Sequence, residues 1–178
     1  YLGLHWAARG FAAVFLQHPG SDSSVWAGVP PKERMAAMQK AANAANFLLR
    51  LRDVSAVLDQ LERWNAAEGH PFAGRLDLTR IGMSGHSFGA MTTQAVSGQR
   101  HAGAGISFTD PRIRAAILFS PSLPRRANAA QTFGAVNIPW LLMTGTKDVA
   151  PIGDADVASR LAVFPALPPG GKYELVLH

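Results

Sequence analysis

The chain has 178 residues, 48% of them hydrophobic and 16% charged, with a formal net charge of +5 and no cysteine. This length and apolar content suffice for one domain with a sizeable core, and the absence of cysteine excludes disulfides, thiolate metal sites and cysteine nucleophiles within these residues. The basic residues are scattered and not interleaved with aromatic residues, so we expect no nucleic-acid partner. No apolar run reaches the roughly 18 residues that a membrane span needs.

The first half of the chain predicts two helical regions and one buried strand. A helical pattern covers residues 2–9, and the continuous apolar run at 11–16 is typical of a strand buried on both faces. A dense cluster of turn residues follows at 17–22. A long helical region is predicted over residues 32–67, where apolar residues recur at helical spacing. Asp53 is expected to serve there as a capping or first-turn acid.

The second half alternates strands with a helix and loops, which predicts a mostly parallel sheet covered by helices on both faces. The predicted elements are a helix at residues 88–97 and strands at 78–83, 113–119, 140–144 and 173–177. The glycine-rich stretch at 98–105 is expected to form a surface loop. No linker divides the chain, so we predict a single α/β domain over residues 1–178.

One motif carries chemistry, the G-x-S-x-G sequence Gly85-His86-Ser87-Phe88-Gly89. An apolar strand is predicted directly before it and a helix directly after it, which is the context that a nucleophile elbow requires. A strand that turns directly into a helix forces the serine into a strained conformation and holds its Oγ clear of the sheet. Side chains two residues before and two residues after the serine are expected to collide, so both glycines are needed. Ser87 is therefore the predicted nucleophile.

A neighbouring serine and the following helix define this site further. Ser84 fails the same test, because the residue two positions after it is His86 and not glycine. The helix that begins at Phe88 directs its free backbone N–H groups and the positive end of its dipole at Ser87. The Phe88 N–H is therefore expected to form one half of an oxyanion hole. The alternative interpretation is a plain Gly-Ser turn between a strand and a helix.

A serine nucleophile needs an orienting acid and a histidine base, which should follow it in that order. Ligands of open parallel sheets bind at the carboxyl ends of the strands, so the acid should follow a later strand. Asp148 meets this condition, in the loop after the strand at 140–144. Asp110 precedes its strand and lies at the wrong edge, whereas Asp154 and Asp156 lie farther along, where helix capping is expected. A simple turn aspartate is the alternative role for Asp148.

Four segments form a pattern together: residues 11–22, the elbow at 85–89 after Arg-Ile-Gly-Met-Ser, the strand that leads into Ser120-Pro121-Ser122, and MTGTKDVAPIG at 143–153. Over nearly the whole chain they resemble the dienelactone-hydrolase-like α/β-hydrolases, a branch related to the platelet-activating-factor acetylhydrolases and the cutinase-type polyester hydrolases. The resemblance implies an α/β-hydrolase fold and a carboxylic-ester hydrolase that works through an acyl-enzyme without a cofactor. It carries over Ser87 as nucleophile, Phe88 as oxyanion-hole donor and Asp148 as triad acid.

The two ends of the chain depart from the family pattern. Family members have earlier strands that end in a His-Gly loop with the second oxyanion donor, and this chain begins after that point. Their catalytic histidine follows the last strand, where this chain offers His178. We therefore expect both ends of the catalytic domain to be missing, with the base being either His178 or a histidine beyond it. His18 is expected to border the pocket and His86 to pack locally, and no histidine pair has metal-ligand spacing.

The substrate prediction depends on the segment between the third and fourth of the predicted strands, about residues 120–137. This segment is too short for a large helical cap, so we expect an open, shallow pocket that suits a small-molecule ester or the end of a polyester chain. Trp26 and Phe88 are expected either to wall this pocket or only to pack in the core. An acyltransferase with the same triad, or a non-catalytic binding domain of the same fold, are the alternative functions.

Overall fold

A computed structural model describes residues 2–101 and 107–178 of the chain. Helices and strands alternate through most of this part, with short 3-10 turns at Ser23–Val25 and Phe164–Ala166. The order is α1 (Leu2–Ala7), α2 (Pro31–Ala41), α3 (Ala44–Ala66), β1 (Ile81–His86), α4 (Phe88–Val96), β2 (Ile113–Phe119), α5 (Ala129–Phe133), β3 (Trp140–Gly145), α6 (Val157–Leu161) and β4 (Lys172–Leu177). Residues 102–105 of the predicted glycine-rich loop lie outside the described residues.

The four strands form one parallel sheet in chain order, β1-β2-β3-β4. The register pairs His86 with Phe119, Phe119 with Met143, and Gly145 with Leu177. The carboxyl ends of all four strands therefore meet at one edge of the sheet. This confirms the predicted α/β class with a parallel sheet, and β2, β3 and β4 begin and end within one residue of their predicted bounds.

Two clusters of buried apolar side chains hold the helices against the sheet. The first joins a helical stripe of α3 to α4 and the start of β2, with members Leu51, Val54, Leu58, Leu61, Ala95, Val96 and Ile113. The second packs alternate residues of β2 and β3 against α5 and the segments near it, with members Ala116, Leu118, Phe133, Val136, Trp140, Leu142 and Val163. Burial of each large side chain contributes about 1.5–3 kcal/mol.

One face of β4 is exposed to solvent. The side chains on this face, Tyr173, Leu175 and Leu177, are 62%, 43% and 57% exposed. The prediction that helices cover both faces is thus not met at β4 within residues 2–101 and 107–178. In these same ranges, no helix is both long and apolar enough to cross a lipid bilayer.

The strand predicted at 11–16 is not formed. These residues lie outside regular secondary structure, and Phe11 and Phe15 are 62% and 77% exposed. The Phe15 ring instead lies against α1 at Gly3, where a Cβ would come within 2.3 Å of it. A continuous apolar run reports a tendency to be buried but names no partner, and no described strand pairs with this one. Its backbone groups therefore have no ladder to join.

Local hydrogen bonds shift other predicted bounds. The helix predicted over 32–67 is two helices, because Asn43 caps α3 by accepting a hydrogen bond from the Asn46 backbone N–H at 2.9 Å. Asp53 is not a capping acid, since it lies well inside α3. The strand predicted to begin at residue 78 begins at Ile81, because the Asp77 carboxylate accepts hydrogen bonds from Thr79 and Arg80 and holds a turn there.

Candidate active site

Ser87 is the single residue between β1 and α4. Its backbone conformation is strained, with φ 53° and ψ −112°. A side chain at positive φ costs on the order of 1–3 kcal/mol and persists only where its surroundings enforce it. Two hydrogen bonds enforce it here. The Ser87 N–H donates to the Phe119 carbonyl of β2 at 3.0 Å, and the Ser87 carbonyl accepts from the Met91 N–H of α4 at 3.0 Å.

Gly85 makes the sharp turn possible. A Cβ at Gly85 would lie 2.2 Å from the carbonyl oxygen of Gly89 and 2.9 Å from the backbone nitrogen of Ala90. The strand and the first turn of α4 therefore pass too close for any side chain at this position. The expectation that Gly89 is needed for the same reason is wrong. Outside the backbone of α4, a Cβ at Gly89 would meet Arg50 Nη2 at 3.8 Å, which is an ordinary contact.

The first turn of α4 presents backbone donors at the carboxyl edge of the sheet. The N–H groups of Phe88, Gly89 and Ala90 have no acceptor within the helix, because only the fourth residue after the cap reaches back to it. The positive end of the helix dipole adds to their attraction for an anion. Phe88 is the first residue of α4, so its N–H is one of these donors and follows Ser87 directly in the chain.

The Phe88 ring is held in position by side chains of α3. Phe47 stacks on it with ring centres 6.1 Å apart, and the Arg50 guanidinium lies 4.7 Å from the ring centre. Arg50 also donates to the Thr92 hydroxyl and to the Ser21 hydroxyl, each at 3.0 Å. Burial lowers the pKa of Arg50 from its ordinary value. This cation links the loop before α2 to the helix that carries the proposed oxyanion donor.

An open cleft of about 930 Å³ lies in front of Ser87 and Phe88. Trp26, which was expected either to wall the pocket or only to pack in the core, lines this cleft. Its ring lies 5.7 Å from the Arg34 guanidinium, and the side chain is about two-fifths exposed. Further lining residues supply an apolar wall and a polar rim: Met38, Met91, Leu123, Ile152, Asp22, Arg125, Arg126, Asp154 and Ser159.

Asp148 lies in the loop after β3, as predicted, and both of its carboxylate oxygens have partners. The Thr144 hydroxyl donates to Oδ2 at 2.9 Å, and Arg160 Nε lies 3.1 Å from Oδ1. A backbone hydrogen bond from the Asp148 N–H to the Gly145 carbonyl closes the turn at 3.1 Å. β2 separates Ser87 from this loop, so the two residues are about two strand spacings, or ~10 Å, apart along the edge.

The other carboxylates have the roles that their positions predict. Asp110 lies before β2 at the opposite edge, where hydrogen bonds from Arg112 hold the pKa of its carboxyl below the ordinary value. Asp156 is the N-cap of α6, and a hydrogen bond from the Ser159 N–H lowers its pKa. Asp154 pairs with Arg125 in solvent at 3.0 Å. Of these four aspartates, Asp148 is therefore the one at the Ser87 edge without a capping or surface-pair role.

His178 directly follows Leu177, whose carbonyl accepts the Thr146 N–H at 2.8 Å, so it lies at the same edge as Ser87 and Asp148. It is exposed. Within the described ranges, the Asp148 carboxylate contacts Thr144 and Arg160 and not His178. The structure thus brings His178 to the edge of the site but not into hydrogen-bond contact with the acid.

The expectations that His18 borders the pocket and that His86 packs locally are both not met. His18 is buried, and its Nδ1 lies 2.8 Å from Asp53 Oδ2, so it ties the loop before α2 to α3 and does not line the cleft. His86 directly precedes Ser87 at the end of β1, but its side chain is exposed and not packed. Among residues 2–101 and 107–178, no cluster of three or more His, Cys, Asp or Glu side chains is arranged to hold a metal ion.

Two arginines of the site, Arg50 and Arg160, were missed by sequence reasoning. Each contacts residues at least 12 positions away in the chain: Arg50 contacts Ser21 and Thr92, and Arg160 contacts Asp148. No local pattern distinguishes Arg50 from other helical arginines. A signal exists only for Arg160, as a charged residue in a helix that must bury one side on the sheet.

Neither family models nor curated proteins give a match to this chain. The geometry at Ser87 is therefore the ground for a functional proposal.

Proposed function

We propose that this chain carries the catalytic centre of a serine hydrolase that cleaves carboxylic esters through an acyl-enzyme on Ser87. One observation supports this most: a serine, and not a glycine, occupies the left-handed position between β1 and α4. Glycine would fill that position without strain. Ser120 and Arg126 also have positive φ, but Ser87 lies directly between a strand and a helix and lines the cleft, where a nucleophile needs its Oγ presented.

The proposed reaction begins with an ester bound in the cleft, its carbonyl carbon beside the Ser87 Oγ. A histidine base takes the hydroxyl proton as Oγ bonds to that carbon, and the carbonyl π electrons move to oxygen. The Phe88 N–H and the dipole of α4 stabilise the resulting oxyanion. His178, which directly follows β4 at the same edge of the sheet, is the candidate for this base.

In the second half, the protonated base gives its proton to the ester oxygen as the carbon–oxygen bond breaks and the alcohol leaves. Water then attacks the carbonyl carbon of the acyl-enzyme, and the base takes a proton from this water. The base returns the proton to the Ser87 Oγ as the carboxylic acid product leaves. Asp148 stabilises the imidazolium in both halves. No cofactor takes part in these steps.

The cleft favours esters of modest size or the ends of polyester chains. Its volume of about 930 Å³ falls within the range of small-molecule sites, and it opens to solvent. Trp26, Met38 and Met91 supply apolar surface for the acyl or alcohol part. The same proposal assigns the chain to the dienelactone-hydrolase-like α/β-hydrolases. This assignment rests on the site together with the motifs at 11–22, 85–89 and 143–153.

A fluorophosphonate probe tests this function, because it bonds to an activated serine. The full-length wild-type protein should be labelled at Ser87, and Ser87→Ala should abolish labelling. Ser84→Ala is the matched control and should keep most of it. Persistent labelling of Ser87→Ala, or no labelling of the wild type, would overturn the proposal and favour a binding domain. Product analysis with an added alcohol separates hydrolysis from acyl transfer.

Two further variants sharpen this test. Ser87→Gly should also lose labelling but unfold at higher urea than Ser87→Ala, because glycine relieves about 1–2 kcal/mol of strain at positive φ. Equal stability of the two variants would remove the argument from strain. His178→Ala tests the base: lost turnover assigns the role to His178, and retained turnover assigns it to another histidine.

A further inference from the structure

Arg160 of α6 is the most deeply buried charged side chain at the carboxyl edge of the sheet, with 2% of the residue exposed. Its Nε donates to the Asp148 carbonyl at 2.7 Å and lies 3.1 Å from Asp148 Oδ1. Its Nη1 donates to the Ser120 carbonyl at 2.7 Å and lies 3.3 Å from the Pro121 carbonyl. One guanidinium thus joins the loops that leave β2 and β3.

The loop after β2 is itself strained and lies next to the nucleophile. Ser120 has φ 58°, is buried, and donates its N–H to the Met143 carbonyl of β3 at 2.8 Å. The residue before it, Phe119, accepts the Ser87 N–H. By holding the Ser120 carbonyl, Arg160 connects the strand end that supports Ser87 with the loop that carries Asp148.

The charge of Arg160 is matched by Asp148. A buried guanidinium is costly unless it is paired, and Asp148 is its one carboxylate partner among the described residues. The other charged groups nearby are engaged elsewhere or face solvent: Asp156 caps α6, and Asp154 pairs with Arg125. Three further groups lie near the Arg160–Asp148 pair. Lys147 precedes Asp148 in the loop, and the Thr144 hydroxyl donates to Asp148 Oδ2. His178 follows β4 at the same edge of the sheet.

We infer that Arg160 is a positioning residue of the proposed active site, which fixes the Asp148 carboxylate and moderates its negative charge toward the histidine base. This role presupposes the proposed function. A carboxylate beside an imidazole favours the protonated imidazolium, and a cation on the far side of the carboxylate weakens that effect. Arg160 therefore keeps the base unprotonated, and the enzyme active, to lower pH than a free aspartate would allow.

The test compares Arg160→Gln and Arg160→Lys in the full-length protein, by kcat, KM and the pH profile of ester hydrolysis from about pH 4 to pH 9. Arg160→Gln should lower kcat about 10–100-fold with little change in KM, because the acid is misplaced. Its acid limb should move up by about 0.5–1 pH unit, because the imidazolium is more stable. Arg160→Lys keeps the charge but not the fork, so kcat should fall while the acid limb stays near the wild type.

Arg112→Gln is the matched control, because Arg112 also pairs with an aspartate, Asp110, but at the opposite edge of the sheet. It should lower the unfolding midpoint and leave the acid limb in place. Either of two results would overturn the role of Arg160. One is an acid limb of the pH profile that does not move in folded Arg160→Gln, and the other is an acid limb that moves as far in Arg160→Lys as in Arg160→Gln. If Arg160→Gln does not fold, an acid limb in Arg160→Lys that moves above that of the wild type overturns the role. An unlabelled wild-type Ser87 would refute the proposed function, whereas a labelled one with an unmoved limb refutes only the role of Arg160.

Discussion

Gly85→Ala probes the close approach of β1 and α4 on which the geometry of Ser87 depends. The added methyl carbon would lie 2.2 Å from the Gly89 carbonyl oxygen and 2.3 Å from its carbonyl carbon. Ordinary carbon–oxygen contacts are near 3.4 Å, so the backbone must separate by roughly 1 Å. The obstacle is main chain and not a flexible side-chain end, and α4 is fixed by residues such as Ala90 and Val96 that are fully buried.

This displacement has two expected consequences. Overpacking of this kind costs about 1–3 kcal/mol, so the urea midpoint should fall accordingly. A shift of about 1 Å between Ser87 and the Phe88 N–H should slow fluorophosphonate labelling about 100-fold in protein that remains folded. Both quantities are measured on the same preparation, by urea unfolding followed by fluorescence and by the labelling rate under native conditions.

Gly89→Ala is the internal control at the other glycine of the motif. Its Cβ has room, and alanine is favoured over glycine inside a helix by about 0.8–1 kcal/mol. We expect unchanged or raised stability and a labelling rate within about threefold of the wild type. Wild-type stability and labelling in Gly85→Ala, or a larger loss in Gly89→Ala than in Gly85→Ala, would refute this reasoning about the elbow.

Two other predictions concern aspartates at opposite edges of the sheet. Asp148→Asn should lower kcat by roughly 10⁴-fold, as in the analogous protease triad, with little change in ester binding; near-normal turnover would return Asp148 to a turn role. Asp110→Asn should lower the free energy of unfolding at pH 7 by about 1–3 kcal/mol, because hydrogen bonds to a charged partner are lost. The pKa of Asp110 is lowered by Arg112, so its stabilisation is present at neutral pH and is lost as pH falls below about 4. Wild type and Asp110→Asn should therefore converge in acid, and a constant difference down to about pH 2 would contradict this.

The elements that the sequence predicts well are those whose signals are local. β2 and β3 are largely apolar runs, β4 follows the Gly170-Gly171 turn, and α4 begins inside the elbow motif, directly after Ser87. Ser87 and Asp148 follow from such signals together with one topological rule, that parallel strands end at a common edge. The rule needs only that the strands run parallel, and in the structure they do.

The elements that the sequence misses depend on partners distant in the chain. Residues 11–16 have the composition of a buried strand, but forming a strand requires a neighbour that no described residue provides. Asp53 resembles a capping acid until His18, 35 residues earlier, is seen to pair with it. The break between α2 and α3 is the exception, because Asn43 is a favourable N-cap residue that a closer inspection of residues 32–67 would detect.

This division also separates the parts of the proposed site. The geometry of Ser87 depends on five consecutive residues. Its positive φ is therefore set by the direct turn from β1 into α4. The acid depends on two loops, and those loops are held together by one buried guanidinium contributed by a helix after both of them. A substitution at Arg160 therefore acts on the relation between Ser87 and Asp148 without touching either, and it should change how fast and at what pH the site works more than whether Ser87 is presented.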